Sequence, residues 1–249
     1  KRVRSVFSGP DDLDVVGGDP SERRRFMDEA LRSLWPLKEG ATAAYDRVLR
    51  QRNRLLKEWD GPGERVDLQA WDQELVALGS ELMRLRSDAV GRVAPAAADA
   101  FEALSGDRLE VEYVPSAWGP DVDEAFRIRL AERRGDEFLR RTTLVGPHRD
   151  DLLLAVQDLV ARGFASHGEG WGAALCLRLG LADAVAAETR EDPVRLFDDP
   201  FSGLDPERRD RLARRMTELD PLAIAVPDDQ HIPGGATVWR VKEGRVVAE

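Results

Sequence analysis

With 249 residues and a mass of 27.7 kDa, the chain can form one large domain or two small ones, with enough material for a substantial buried core. Its 42% hydrophobic and 34% charged residues exclude a disordered segment, and no apolar run reaches the roughly 18 residues of a membrane span or forms an opening signal peptide. A net charge of −10 and a pI near 5.0 argue against a protein that coats nucleic acid without selectivity, and the composition reads as cytoplasmic, with no membrane partner.

In chain order, residues 1–19 read as a strand edge followed by an acidic loop. Ser21 precedes an amphipathic run with Phe26, Ala30, Leu31 and Leu34 at helical spacing, and Pro36 stops it. A second helix is predicted from Ala41 to Trp59 on Tyr45, Val48, Leu49, Leu55 and Leu56, and GPGE at 61–64 is a turn. Val66-Asp67 opens a longer helix to about Val93, and Pro95 is expected to restart a shorter one ending at Ser105-Gly106. The 20–104 stretch therefore reads as a nearly all-helical arm. Arg108–Val114, RLEVEYV, alternates as a half-buried strand should, and a helix follows from Asp121 to Arg134. Strands are expected at 152–156, at 194–197 and from Pro221, and TVWRVKEGRVVAE closes the chain as a hairpin. Helices between strands predict an α/β fold, a mixed sheet with helical cover.

Two segments carry chemistry. Val194–Asp205, VRLFDDPFSGLD, brings the adjacent carboxylates Asp198 and Asp199 to the end of an apolar run and follows them with a Ser-Gly-Leu-Asp turn. In a nucleotide-hydrolysing sheet the first carboxylate holds Mg²⁺ through water and the second orients the attacking water. A buried strand ending in an acidic turn accounts for the same letters. Upstream, FASHGEGWG at 164–172 feeds an Ala/Leu-rich helix, so that small residues and free N–H groups at its start suit a phosphate. An ordinary capped helix is the plainer reading. The order of these parts is that of the second half of an ABC-type ATPase head.

Three further blocks narrow this: FSGPDDLDVVGGDPSERRRFMD at 7–28, YDRVLRQRNRLLK at 45–57 and TLVGPHRDDLLL at 143–154. Together with the first two they resemble the RecF family of bacterial repair ATPases over nearly the whole chain, in the right order. The resemblance implies an ABC-type head divided as 1–19, 105–249 and an inserted arm at 20–104. It implies Asp198 as the Mg²⁺-linked acid, through water, and Asp199 in the catalytic position usually held by Glu. Ser166, Gly168, Glu169 and Asp205 would face nucleotide, the first pair across a dimer. Its cofactors would be ATP and Mg²⁺, and its partners double-stranded or gapped DNA, a second copy joined on ATP, and recombination-mediator proteins that help load the recombinase.

The His148-Arg149-Asp150-Asp151 cluster reads either as a self-satisfied turn or as a nucleotide or DNA face; a metal site from His148, Asp150 and Asp151 lacks a second nitrogen or sulfur ligand. A serine hydrolase is disfavoured, because no G-x-S-x-G occurs. Cys176 has no partner within the chain and is expected in the core. The chain also departs from the family. No G-x-x-x-x-G-K-[ST] phosphate loop occurs, so these residues alone are expected not to hydrolyse ATP. A first residue of Lys favours a fragment of a longer head over a relative that has lost nucleotide. Arg195 interrupts its apolar run, Trp171 replaces a polar residue, and His231 stands too loosely spaced for a switch role. The rival reading is an ABC-type scaffold that binds DNA or protein without nucleotide.

Overall fold

The computed structural model describes residues 3–59, 67–228, 232, 234–242 and 244–248; the GPGE turn and His231 lie outside the described residues. The chain begins with strand β1 (Ser5–Ser8), a short helix α1 (Leu13–Gly17) and helix α2 (Pro20–Leu34). Thus part of the expected acidic loop is helical. Helices α3 (Gly40–Glu58) and α4 (Gln69–Ser105) follow, then strand β2 (Leu109–Val114) and helices α5 (Val122–Glu132) and α6 (Arg134–Arg140). Strand β3 (Asp151–Val156) turns into β4 (Leu159–Val160), and α7 (Ala161–Phe164) leads to α8 (His167–Thr189). Strand β5 (Val194–Asp198), helix α9 (Pro206–Met216), strand β6 (Leu222–Ala225) and the pair β7 (Trp239–Lys242) and β8 (Arg245–Ala248) complete it. The segments α6, β4 and α7 are too short for a periodic signal and were not anticipated.

Parallel and antiparallel ladders lie in separate sheets. Strands β1, β5 and β6 form a parallel sheet with β5 in the middle; β2, β3 and β4 are antiparallel, as are β7 and β8. Arg195 sits in the central strand after all. It is 4% exposed, and its guanidinium donates to Asp183 on α8 at 3.0 Å, so the interruption of the apolar run is an ion pair across the sheet face.

Helix α8 is buried along most of its length. It is the one described helix long and apolar enough to cross a membrane, with mean hydropathy 1.3, yet 83% of that window is buried inside the fold. A helix apolar on all sides is a core helix when neighbours cover it. Burial also holds the Cys176 thiol far above its usual range, with no free surface for reaction.

Helix α4 runs unbroken through Pro95, contrary to the expected restart. An interior proline costs about 3 kcal/mol. On either side of it, Ala89, Val90, Val93, Ala97, Phe101 and Leu104 lie in the core cluster that contains α8. Each large buried side chain contributes about 1.5–3 kcal/mol, so the sum outweighs the lost hydrogen bond and the helix stays whole. Its other half supplies Leu75, Val76, Leu82 and Met83 to a second cluster with Tyr45, Phe126 and Leu130. At about 1.5 Å per residue α4 is about 55 Å long, and it joins the two cores. It ends at Gly106, whose φ of 78° is the left-handed cap that the sequence marks.

The two helices touch through backbone. A β-carbon added to Gly180 on α8 would lie 2.6 Å from the Ala97 amide nitrogen. Helix propensity favours Gly→Ala by about 1 kcal/mol, but overpacking costs about 1–3 kcal/mol. Gly180→Ala is therefore expected to lower stability, while Gly91→Ala, with nothing within 4 Å of its new carbon, raises it by about 0.5–1 kcal/mol. Urea midpoints measure both; a stabilised Gly180→Ala would rule out the backbone contact.

Candidate functional site

The carboxyl ends of parallel strands are where open α/β sheets bind ligands. Here β1 and β5 end side by side, with Ser8 paired to Phe197. Phe197 is buried and anchors the strand end, Asp198 is exposed, and a β-carbon on Gly9 would sit 3.8 Å from that of Asp198. Asp199 adopts φ 47°, the left-handed region that Asp tolerates better than most residues. Its amide donates to the Ala225 carbonyl at 2.9 Å, which closes the ladder to β6, and its carbonyl accepts from the Ser202 amide at 3.2 Å. Among the described residues neither carboxylate has an ion pair or a side-chain hydrogen bond. Most other acids near this end of the fold are engaged. Asp12 accepts from the Gly9 amide at 3.1 Å and pairs with Arg178 of α8 at 2.6 Å, and Arg178 also pairs with Glu29 at 2.7 Å.

The turn after Asp199 interlocks with the start of α8. Trp171 donates its indole N–H to the Pro200 carbonyl at 3.1 Å. A β-carbon on Gly168 would meet the Gly203 carbonyl oxygen at 2.9 Å, and Gly203, at φ 71°, faces the His167 ring. Glycine is required at both positions: at 168 for the close approach, at 203 for the backbone angle as well. The residue that looked out of place at 171 thus ties the signature loop to the acidic turn. His167 and Arg208 also flank this contact, and neither carries a sequence signal beyond its position.

Helix α8 begins at His167, two positions before the expected start near Glu169. Ser166 is its cap. The Ser166 hydroxyl accepts from the Glu169 amide at 3.3 Å, and the Glu169 carboxylate accepts from the Ser166 amide at 2.7 Å, a reciprocal capping box. That amide, and the hydroxyl with it, hold the Glu169 carboxyl below its usual range. Glu169 is therefore folded back on its own helix. The first-turn N–H groups of His167 and Gly168 have no acceptor within the helix and are free to donate outward. Asp205 caps α9 by accepting from the Arg208 amide at 3.0 Å, which lowers its carboxyl pKa.

The His148 cluster is built differently. The Thr143 carbonyl can only accept, so the His148 Nε2 bonded to it at 3.0 Å carries the proton, and Nδ1 accepts from the Tyr45 hydroxyl at 2.7 Å. Burial pushes His148 down to about 4 and keeps it neutral. Asp150 is fully buried; it accepts from the Tyr113 hydroxyl and from the Ser116 amide, the latter at 2.7 Å, with Arg86 at 3.5 Å. Burial raises its carboxyl pKa. Asp151 pairs with Arg23 at 2.6 Å. Only Arg149 of this run is exposed. Elsewhere a cavity of about 460 Å³, lined in part by Asp72, Val76, Leu130, Arg134 and Phe138, lies between α4, α5 and α6, away from both groups.

No protein-family model matches the chain. The fold is that of an ABC-type ATPase head. It superposes on the solved structure titled "Structure of the recombination mediator protein RecF-ATPrS in RecFOR pathway" with TM-score 0.85 at 25% identity, covering 99% of this chain and 68% of that one. A second solved structure, of RecF with ATP, gives 0.83. Among curated proteins, the DNA replication and repair protein RecF of Streptomyces avermitilis is 41% identical over 98% of this chain and 69% of its own length. That of Frankia alni is 40% identical over 95% and 67%. The chain belongs to the RecF family, and it spans about two thirds of the length of these relatives.

Proposed function

We propose that this chain supplies the acidic and signature parts of the ATPase head of a RecF-type protein, which binds gapped or double-stranded DNA as an ATP-dependent dimer in recombinational repair and helps load the recombinase with mediator proteins. The observation that carries this reading is the pair of unpaired carboxylates, Asp198 and Asp199, at the carboxyl ends of parallel strands, locked to the donor-rich start of α8 through Gly168 and Gly203. RecF relatives solved with ATP and with an ATP analogue support nucleotide as the ligand.

The residues present fit part of that site. Asp198, exposed and unpaired, suits a hydrated Mg²⁺, which would neutralise phosphate charge when bound. Asp199 would orient water, and Ser166 with the His167 and Gly168 amides would donate to a terminal phosphate held by a second copy. Glu169 and Asp205 act one step back, by capping the helices that aim these donors. No phosphate loop is among these residues, so the reading requires one from another polypeptide segment. Residues 20–104 form the arm in this reading, with the C-terminal half of α4 seated on the head and its N-terminal half in the second core.

The test is Mg-ATP hydrolysis by this chain alone and mixed with the phosphate-loop half of a RecF head, with duplex DNA present. Activity only in the mixture supports the proposal. No activity from halves that demonstrably associate favours the scaffold, as does DNA binding indifferent to ATP.

A further inference from the structure

The sequence holds four basic clusters, and tertiary structure treats them unequally. In α2, Arg23 pairs with Asp151, Arg25 with Glu22, and Arg24 donates to the Asp150 carbonyl. In α9, Arg208, Arg211 and Arg215 each have an acidic neighbour, Asp205 and Asp107, Glu207, and Glu218, while Arg209 is half-buried and Arg214 alone is exposed without an acid partner among the described residues. At the N-terminus Arg4 donates to the Ser33 carbonyl, and the two residues before Val3 lie outside the described set. Helix α3 is the exception. Arg47, Arg50, Arg54 and Lys57 recur at i, i+3, i+7 and i+10, which places them on one face, and all four are exposed. Among the described residues only Arg54 has an acid partner, Glu58 one turn on, and both ends of that pair stay more than half exposed. Asp46, at the edge of the stripe, is half-buried.

The flank of the same helix fixes what lies beside the stripe. Asn53 accepts from the Thr143 amide at 2.7 Å, and the Thr143 carbonyl accepts from Arg149 at 3.3 Å. Arg141, exposed at the end of α6, stands two residues before Thr143. Cations from three separate stretches therefore border one helix face, in a chain whose net charge is −10. An acidic protein cannot hold a polyanion through its overall field; it needs a local surface that acids have not neutralised.

We infer that the exposed face of α3, extended by Arg141 and Arg149, is the surface on which this chain grips the phosphate backbone of duplex DNA. Four cations along ten residues span about 15 Å at about 1.5 Å per residue. At about 3.4 Å of rise per nucleotide, that matches about four phosphates of one strand. Arginine's planar fork suits phosphate, and contacts to the backbone position a duplex without reading its sequence.

This surface rests on the DNA-binding reading above, and the experiment separates the two. The salt dependence of affinity for a fluorescent DNA duplex is measured, with the phosphate-loop half of a RecF head and Mg-ATP present, for the parent chain and two variants that remove equal charge. One is Arg47→Gln/Arg50→Gln/Arg54→Gln/Lys57→Gln, which uses a good helix former at exposed positions. The other is Arg127→Gln/Arg129→Gln/Arg133→Gln/Arg214→Gln, on exposed faces of α5 and α9 and in the turn between α5 and α6. Each phosphate contact contributes about −0.9 to the slope of log K against log salt. The α3 variant is expected to flatten the slope by about 2–4 and to weaken low-salt binding about tenfold or more, with the second variant close to the parent. An unchanged slope in the α3 variant, or equal loss in both, overturns the α3 surface while leaving DNA binding intact. A parent chain that associates with the phosphate-loop half yet shows no salt-dependent binding in Mg-ATP overturns the DNA reading itself.

Discussion

Arg52→Met is expected to destabilise the protein by about 3–5 kcal/mol, because it strands a buried carboxylate. The Arg52 side chain is fully buried on α3. It donates to Glu137 at 2.6 Å, to the Thr143 hydroxyl at 2.7 Å and to Asp72 at 2.8 Å. Asp72 would keep Arg134 as a partner, but Glu137, also fully buried, would retain only the Leu144 amide at 2.9 Å. Desolvation then falls on an uncompensated charge, the costly half of an ion pair. The double variant Arg52→Met/Glu137→Gln removes that charge and is expected to recover part of the loss, which a double-mutant cycle reads as coupling. Denaturant midpoints at constant slope measure it. A single-variant loss below about 1 kcal/mol would show that the pair is not buried in solution.

Asp199→Asn is expected to cut hydrolysis by the reconstituted head about 10²–10⁴-fold, the usual contribution of a positioned acid–base group. The backbone sharpens the test. Asn tolerates the left-handed angle at position 199 about as well as Asp, so the amide keeps the turn and removes only the charge. Asp199→Ala would add backbone strain of about 1–2 kcal/mol and confuse folding with chemistry. Unchanged hydrolysis in Asp199→Asn, with the thermal midpoint of the parent, would exclude Asp199 as the water-orienting group.

Long periodic segments were legible from residues alone. Helices α2 and α3, strands β2, β3 and β5, the end of α4 at Gly106 and the closing hairpin fall within a few residues of their predicted positions. Their signals are local: apolar spacing, a helix-stopping proline, a left-handed glycine. The failures share a cause. Pro95 reads as a break because propensity is local, whereas the packing of α4 on α8 is not. Arg195 reads as an intruder because Asp183 lies on another element.

The candidate site divides in the same way. The residue types and the order of Ser166, Gly168, Asp198, Asp199 and Asp205 could be read directly, since each stands in a short motif. That Ser166 and Glu169 cap each other, or that Trp171 holds Pro200, depends on local geometry that a motif does not state. The family blocks show the point most plainly. Tyr45, Arg52 and Asn53 of one block meet His148 and Thr143 of another, while Arg23 and Arg24 of a third meet Asp151 and Asp150. In the sequence these are separate strings, and His148 and Asp150 look like a site. Folded, they are the buried junction of three segments. The sequence determined the elements and the family, because helix and strand periods and motif order are written along the chain. Only the tertiary structure decided which charges are buried and paired and which are left for a ligand, because desolvation and pairing depend on neighbours on other elements, from 12 to more than a hundred residues away.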